Sequence, residues 1–122
     1  MQYLLYDIME EQKSLLEENS REYYRNGLLA EKRGEFNTSV TLFFKALASL
    51  CDLQILKDKG FFPSNHSERF RILEKEYGEF YSLINKDFSI YQNSYRLRLD
   101  KNTSEVLKYD VETLFGKLGI DF

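Results

Sequence analysis

The stretch from Ala30 to Gly60, AEKRGEFNTSVTLFFKALASLCDLQILKDKG, dictates most of what the rest of this chain has to do. It reads as the end of one helix, a tight corner at Arg33-Gly34-Glu35, and a long second helix. Phe36, Val40, Phe43, Leu47 and Leu50 recur at spacings of four, three, four and three, the period of one helix face. Phe44, Cys51 and Ile55 widen that stripe, and Ala46 and Ala48 leave room for a neighbouring backbone. Gly34 suits a helix C-cap because it reaches positive φ without a Cβ clash. Lys57 and Lys59 fall in the last turn, where positive charge complements the helix dipole, and Gly60 ends the helix. So wide an apolar stripe must be covered, and the flanking segments are read as its cover.

The segment from Gln2 to Arg33 is helix-rich and holds no proline. Leu4, Ile8 and Leu15 are spaced for one packed face, as are Tyr24 and Leu28. Asn19 with Glu22 has the form of a capping box, so either one long helix with a polar waist or two pieces broken near Asn19 is expected. Phe61-Phe62-Pro63-Ser64 reads as a linker, since Pro63 holds Phe62 extended. Asn65 with Glu68 then opens a third helix, whose stripe Phe70, Leu73, Tyr77, Phe80 and Ile84 runs through Gly78. That glycine costs about 1 kcal/mol relative to alanine, which the stripe should outweigh. Asn85-Lys86-Asp87 looks like a break before a fourth helix carrying Phe88, Tyr91, Tyr95 and Leu99. Asp100-Lys101-Asn102 reads as a turn, and Asn102 with Glu105 as the start of a last helix carrying Val106 or Leu107, Val111, Leu114, Phe115 and Leu118. No stretch alternates with period two, and no repeat or low-complexity run appears. The expected fold is all-α: a single domain over residues 1–122, an antiparallel up-and-down bundle of four to five helices.

The charge balance narrows the function classes. The net charge is −3 with both signs interspersed, which argues against a broad phosphate-binding face and leaves nucleic acid as a partner not favoured. One cysteine excludes an intrachain disulfide and fits a reducing compartment. No uninterrupted apolar run approaches membrane-span length, and the opening MQYLLYDIMEEQK lacks a basic signal-type start. A cytoplasmic location without membrane attachment is the expectation. Ten Phe and nine Tyr suggest bulky side chains filling wide gaps between helices.

Candidates for chemistry are few. A single histidine and a single cysteine on different helices do not make a zinc site, so no metal and no cofactor are expected. His66 falls in the first turn of the third helix, where the dipole disfavours its protonated form. Cys51 on the apolar stripe reads as a buried thiol. No phosphate loop, nucleophile elbow or His-Glu-x-x-His string is present, and no catalytic residue is assigned. The best polar cluster is Gln92-Asn93-Ser94-Tyr95-Arg96 with Arg98 and Lys101. Arginines beside a tyrosine are suited to gripping a phosphate or a partner's carboxylate.

The chain also resembles the HEPN family of small helical bundles. The resemblance is carried by Ala30-x-x-x-Gly34-x-Phe36-x-x-Ser39-Val40, then Lys45-Ala46, Asp52-Leu53, Gly60, Pro63, His66, Arg69 and Leu73, and later Tyr91-Gln92-Asn93-Ser94-Tyr95-Arg96. It covers roughly Ser20 to Leu118. In that family the resemblance implies RNA-cleaving toxins, modules paired with a small nucleotidyltransferase, and nucleotide- or RNA-binding units. The ribonuclease members carry arginine followed four to six residues later by histidine on a late helix. Here the sole histidine is His66, and positions 59 to 61 are Lys59, Gly60 and Phe61, so the motif is absent. What the resemblance then implies is a non-catalytic module, a homodimer or the partner of a nucleotidyltransferase, acting in protein association. The alternative is a nucleotide- or RNA-binding module using Tyr95, Arg96, Arg98 and Lys101. Gly34-x-Phe36-x-x-Ser39-Val40 also looks like half of a tetratricopeptide repeat, but nothing near Phe70 or Val106 repeats it, and that fold needs several stacked units.

Overall fold

A computed structural model describes the backbone of residues 2–122 and the side chains of residues 4–122. Five helices follow one another: α1 (Gln2–Lys32), α2 (Phe36–Lys59), α3 (His66–Glu76), α4 (Gly78–Asn93) and α5 (Lys101–Leu118). No strand occurs among the described residues, and the protein is an all-α bundle.

The central element is α2. From Ala46 to Leu53 every side chain is buried, because α1, α5, α4 and α3 all contact this helix. By length and apolar composition α2 matches a membrane span, with a mean hydropathy of 1.5, but 72% of that window is buried within the bundle. A helix apolar on all sides needs cover all round, and here other helices supply it. Gly34 adopts φ 76° at the α1–α2 corner, and the Glu35 N–H reaches back to the Ala30 carbonyl at 2.9 Å. Gly27 lets α1 approach closely: a Cβ there would lie 2.5 Å from Cε1 of Phe43.

Helix α1 is continuous through Asn19. Within the polar waist Ser20 is buried, its hydroxyl donating to the Leu16 carbonyl at 2.7 Å, so no break is needed. The packed face is Leu16, Ser20, Tyr24 and Ala30, not the Leu4, Ile8 and Leu15 face that the spacing suggested; those three are exposed.

The third helix does not run through Gly78. Tyr77 takes φ −136° and ψ 65°, capping α3 with its N–H on the Leu73 carbonyl and offering its own carbonyl to Tyr81. The corner folds α4 back onto α3, so that the rings of Phe70 and Phe88 lie 5.1 Å apart. A straight helix would separate them by about 27 Å. The gain in aromatic packing around Phe44, Phe70 and Phe88 outweighs the hydrogen bonds lost at the corner. The expected break at Asn85-Lys86-Asp87 is instead the interior of α4, and that helix ends at Asn93 rather than reaching Leu99. Asn65 does cap α3, accepting from the Glu68 N–H at 2.9 Å. The cap of α5 is Asp100, which accepts from Thr103, so Lys101 and Asn102 lie inside the helix rather than in a turn.

Candidate ligand cleft

The site begins with a buried ion pair. Asp52 on α2 and Arg69 on α3 are both buried and meet through two parallel bonds, Nε to Oδ1 at 2.7 Å and Nη2 to Oδ2 at 2.9 Å. Burial pushes the Asp52 carboxyl up, and the Arg69 guanidinium pulls it back. The bidentate geometry holds it as a carboxylate. The third arm of the guanidinium, Nη1, lies 2.6 Å from Nδ1 of His66. A guanidinium only donates, so Nδ1 accepts and the ring proton sits on Nε2. Burial, then the Arg69 charge, lower the affinity of His66 for a second proton. Thus the imidazole is held neutral, in one tautomer, at the amino-terminus of α3.

His66 opens onto a cleft of about 520 Å³ that is also lined by Phe88, Tyr91, Gln92, Asn93, Tyr95 and Arg96. Phe88 and Tyr91 give the cleft an aromatic wall, and Tyr91 stacks on the buried Phe44 with centroids 4.6 Å apart and planes within 9°. The Tyr91 and Tyr95 hydroxyls lie 2.9 Å apart. That bond, reinforced by burial, pushes the Tyr91 phenol up, leaving it a neutral hydroxyl near pH 7. Arg96 is exposed and in no ion pair among the described residues.

Asn37 fixes the turn that presents Tyr95 and Arg96. Its Nδ2 donates to the carbonyls of Ser94 and Leu97 at 2.8 and 2.7 Å, and its Oδ1 accepts from the Leu99 N–H at 2.9 Å. One amide therefore satisfies three backbone groups of an irregular segment.

The four residues expected to form one basic cluster are divided. Tyr95 and Arg96 face the cleft with His66. Arg98 lies in the irregular segment leading to α5 and is exposed. Lys101 approaches Glu105 at 3.9 Å and lines a separate hollow with Glu31, Lys32, Phe36 and Lys108. Beside that hollow a polar chain joins three helices: Ser39 and Ser104 hydroxyls lie 2.6 Å apart, Ser104 donates to Glu31 at 2.6 Å, and Lys108 pairs with Glu31 at 3.0 Å. Nothing local in the sequence marks Asn37, whereas an aspartate in the apolar middle of α2, as Asp52 is, signals a buried partner such as Arg69.

Cys51 is fully buried, and burial pushes its thiol up, so it fills core. Among the described residues no three His, Cys, Asp or Glu side chains gather as a metal site would require. The chain matches no protein-family model, no curated protein and no solved structure.

Proposed function

We propose that this chain is a non-catalytic helical module working in protein association, with the amino-terminal half of α1 as its docking surface. The observation that carries the reading is the exposure of Leu4, Leu5, Tyr6 and Ile8, at 59%, 62%, 64% and 41%. Met9 lies beside Gly60, the C-cap of α2, so the residues before it project past the end of α2. That overhang is about 10 Å of helix with no covering element. Large apolar side chains clustered at one end of a helix mark a surface used for binding. The resemblance to HEPN bundles supports a second copy of the chain as the first partner, with a nucleotidyltransferase-type protein as the other.

Light scattering coupled to size exclusion tests it. The wild type should be a dimer at micromolar concentration, and Leu4→Glu with Ile8→Glu should give a folded monomer. A strictly monomeric wild type, carrying no added partner, would overturn the self-association reading.

A second reading rests on a different observation: His66, Tyr91, Tyr95 and Arg96 share one cleft. A neutral imidazole N–H and a free guanidinium beside an aromatic wall suit a phosphate carried on a flat ring, such as a nucleoside monophosphate or an RNA end. Calorimetry with a nucleoside monophosphate at low salt tests this reading. Binding should weaken at least tenfold in Arg96→Ala; undiminished binding in that variant, or none to the wild type, removes the site.

A further inference from the structure

The seam between α4 and α5 holds two aspartates where a bundle ordinarily places apolar side chains. Asp87 is 0% exposed and Asp110 is 3% exposed. Both face the same ammonium: Lys86 Nζ lies 3.0 Å from Oδ2 of Asp110 and 4.0 Å from Oδ1 of Asp87. Lys86 itself is half in solvent. If both acids were ionised, neither oxygen of Asp87 would have a hydrogen-bond donor, and Oδ2 of Asp110 would have only the half-exposed Lys86 ammonium at 3.0 Å. Buried charges without donors are among the most costly arrangements in a protein interior. A proton placed on Asp87 removes the conflict. It turns one acceptor into a donor aimed at Asp110, and leaves one carboxylate to balance one ammonium.

We propose that Asp87 and Asp110 share a single proton in the folded protein, making the α4–α5 seam a pH-sensitive latch, closed while the proton is held and loosened when it is lost. Among the described residues the charged groups bearing on Asp87 are Asp110 from α5 and Lys86 from its own helix; none comes from α2 or α3, which also pack on α4. Burial first, then the bond and the charge of Asp110, push the Asp87 carboxyl up, with Lys86 opposing. The other charged contact across the seam, Lys117 with Glu79 at 2.6 Å, pairs opposite signs near the other end of α4 and does not oppose closure. Losing the proton places two like charges in a dry seam, which favours separation of the helices. The latch also reaches the cleft, because the residue after Asp87 is Phe88 and the next turn carries Tyr91.

Comparing wild type with Asp87→Asn tests the latch. The asparagine keeps the shape and the donor of the protonated acid but cannot titrate. A group that holds its proton more tightly folded than unfolded stabilises the fold fully below the ordinary carboxylate range, and that stability drains as pH rises toward the folded value. Between about pH 5 and pH 8 the wild-type unfolding constant should therefore climb relative to Asp87→Asn by up to about tenfold per pH unit. Parallel curves would overturn the proposal. Should Asp87→Asn not fold, carbon-detected NMR of the wild type decides: the Asp87 carboxyl should titrate above neutrality. Titration near pH 4, with ordinary carboxylates, overturns it.

Discussion

Asp52 and Asp87 are buried in this bundle on opposite terms. Asp52 meets a guanidinium through two parallel bonds, while Asp87 meets another acid and an ammonium 4.0 Å away. Burial drives both carboxyls toward holding a proton, and the partner then decides. Arg69 pulls Asp52 back, and the result is a fixed charge pair that locks α3 onto α2. Asp110 pushes Asp87 further, which makes a seam whose strength follows pH. Depth of burial is thus a poor guide to what a buried acid does; the nearest donor decides.

Breaking the first pair should have the largest effect. Arg69→Ala leaves Asp52 buried and unpaired, an expected loss of roughly 3–5 kcal/mol in urea unfolding, whereas replacing both residues by apolar ones of similar size should recover most of it. The same variant releases His66 Nδ1, so NMR should find the histidine taking up a proton closer to its ordinary pKa of about 6.5. The second pair should respond with the opposite sign. At pH 8 Asp87→Asn should be more stable than wild type, by up to about 1.4 kcal/mol for each pH unit above the ordinary carboxylate range.

Asn37 stands between these cases, since its partners are backbone groups that water can partly serve. Asn37→Ala should cost about 1 kcal/mol and loosen the turn at Tyr95 and Arg96, read as faster amide exchange at Leu97 and Leu99. The smallest effect on stability belongs to the overhang. Leu4→Glu with Ile8→Glu should stay within about 0.5 kcal/mol of wild type by thermal unfolding of the dilute protein, because neither side chain touches the core.

The helical periods were legible because they are local. The α2 stripe, the Asn65 cap and the Gly34 corner each follow from spacing and side-chain type within a few residues. The α3–α4 corner was not, because the apolar stripe around Gly78 fits one straight helix as well as two. Packing of Phe70 onto Phe88 selected between them. The candidate site was half legible. Tyr95 and Arg96 line one cleft, but their sequence neighbours Arg98 and Lys101 do not, because α4 ends at Asn93 and the chain turns away toward α5. His66 joins them from across that corner.

By itself the sequence determined an all-α chain arranged around one apolar helix, since helix period, caps and breakers act over a turn or two. Only the tertiary structure decided which polar residues meet. Asp52 with Arg69, Asp87 with Asp110 and Asn37 with the 94–99 turn are pairs distant in sequence, and nothing in local spacing distinguishes a salt bridge from a shared proton. The same holds for α1. Its amino-terminal apolar face is as regular as a core face, and it is exposed because α2 ends about 10 Å too soon to cover it.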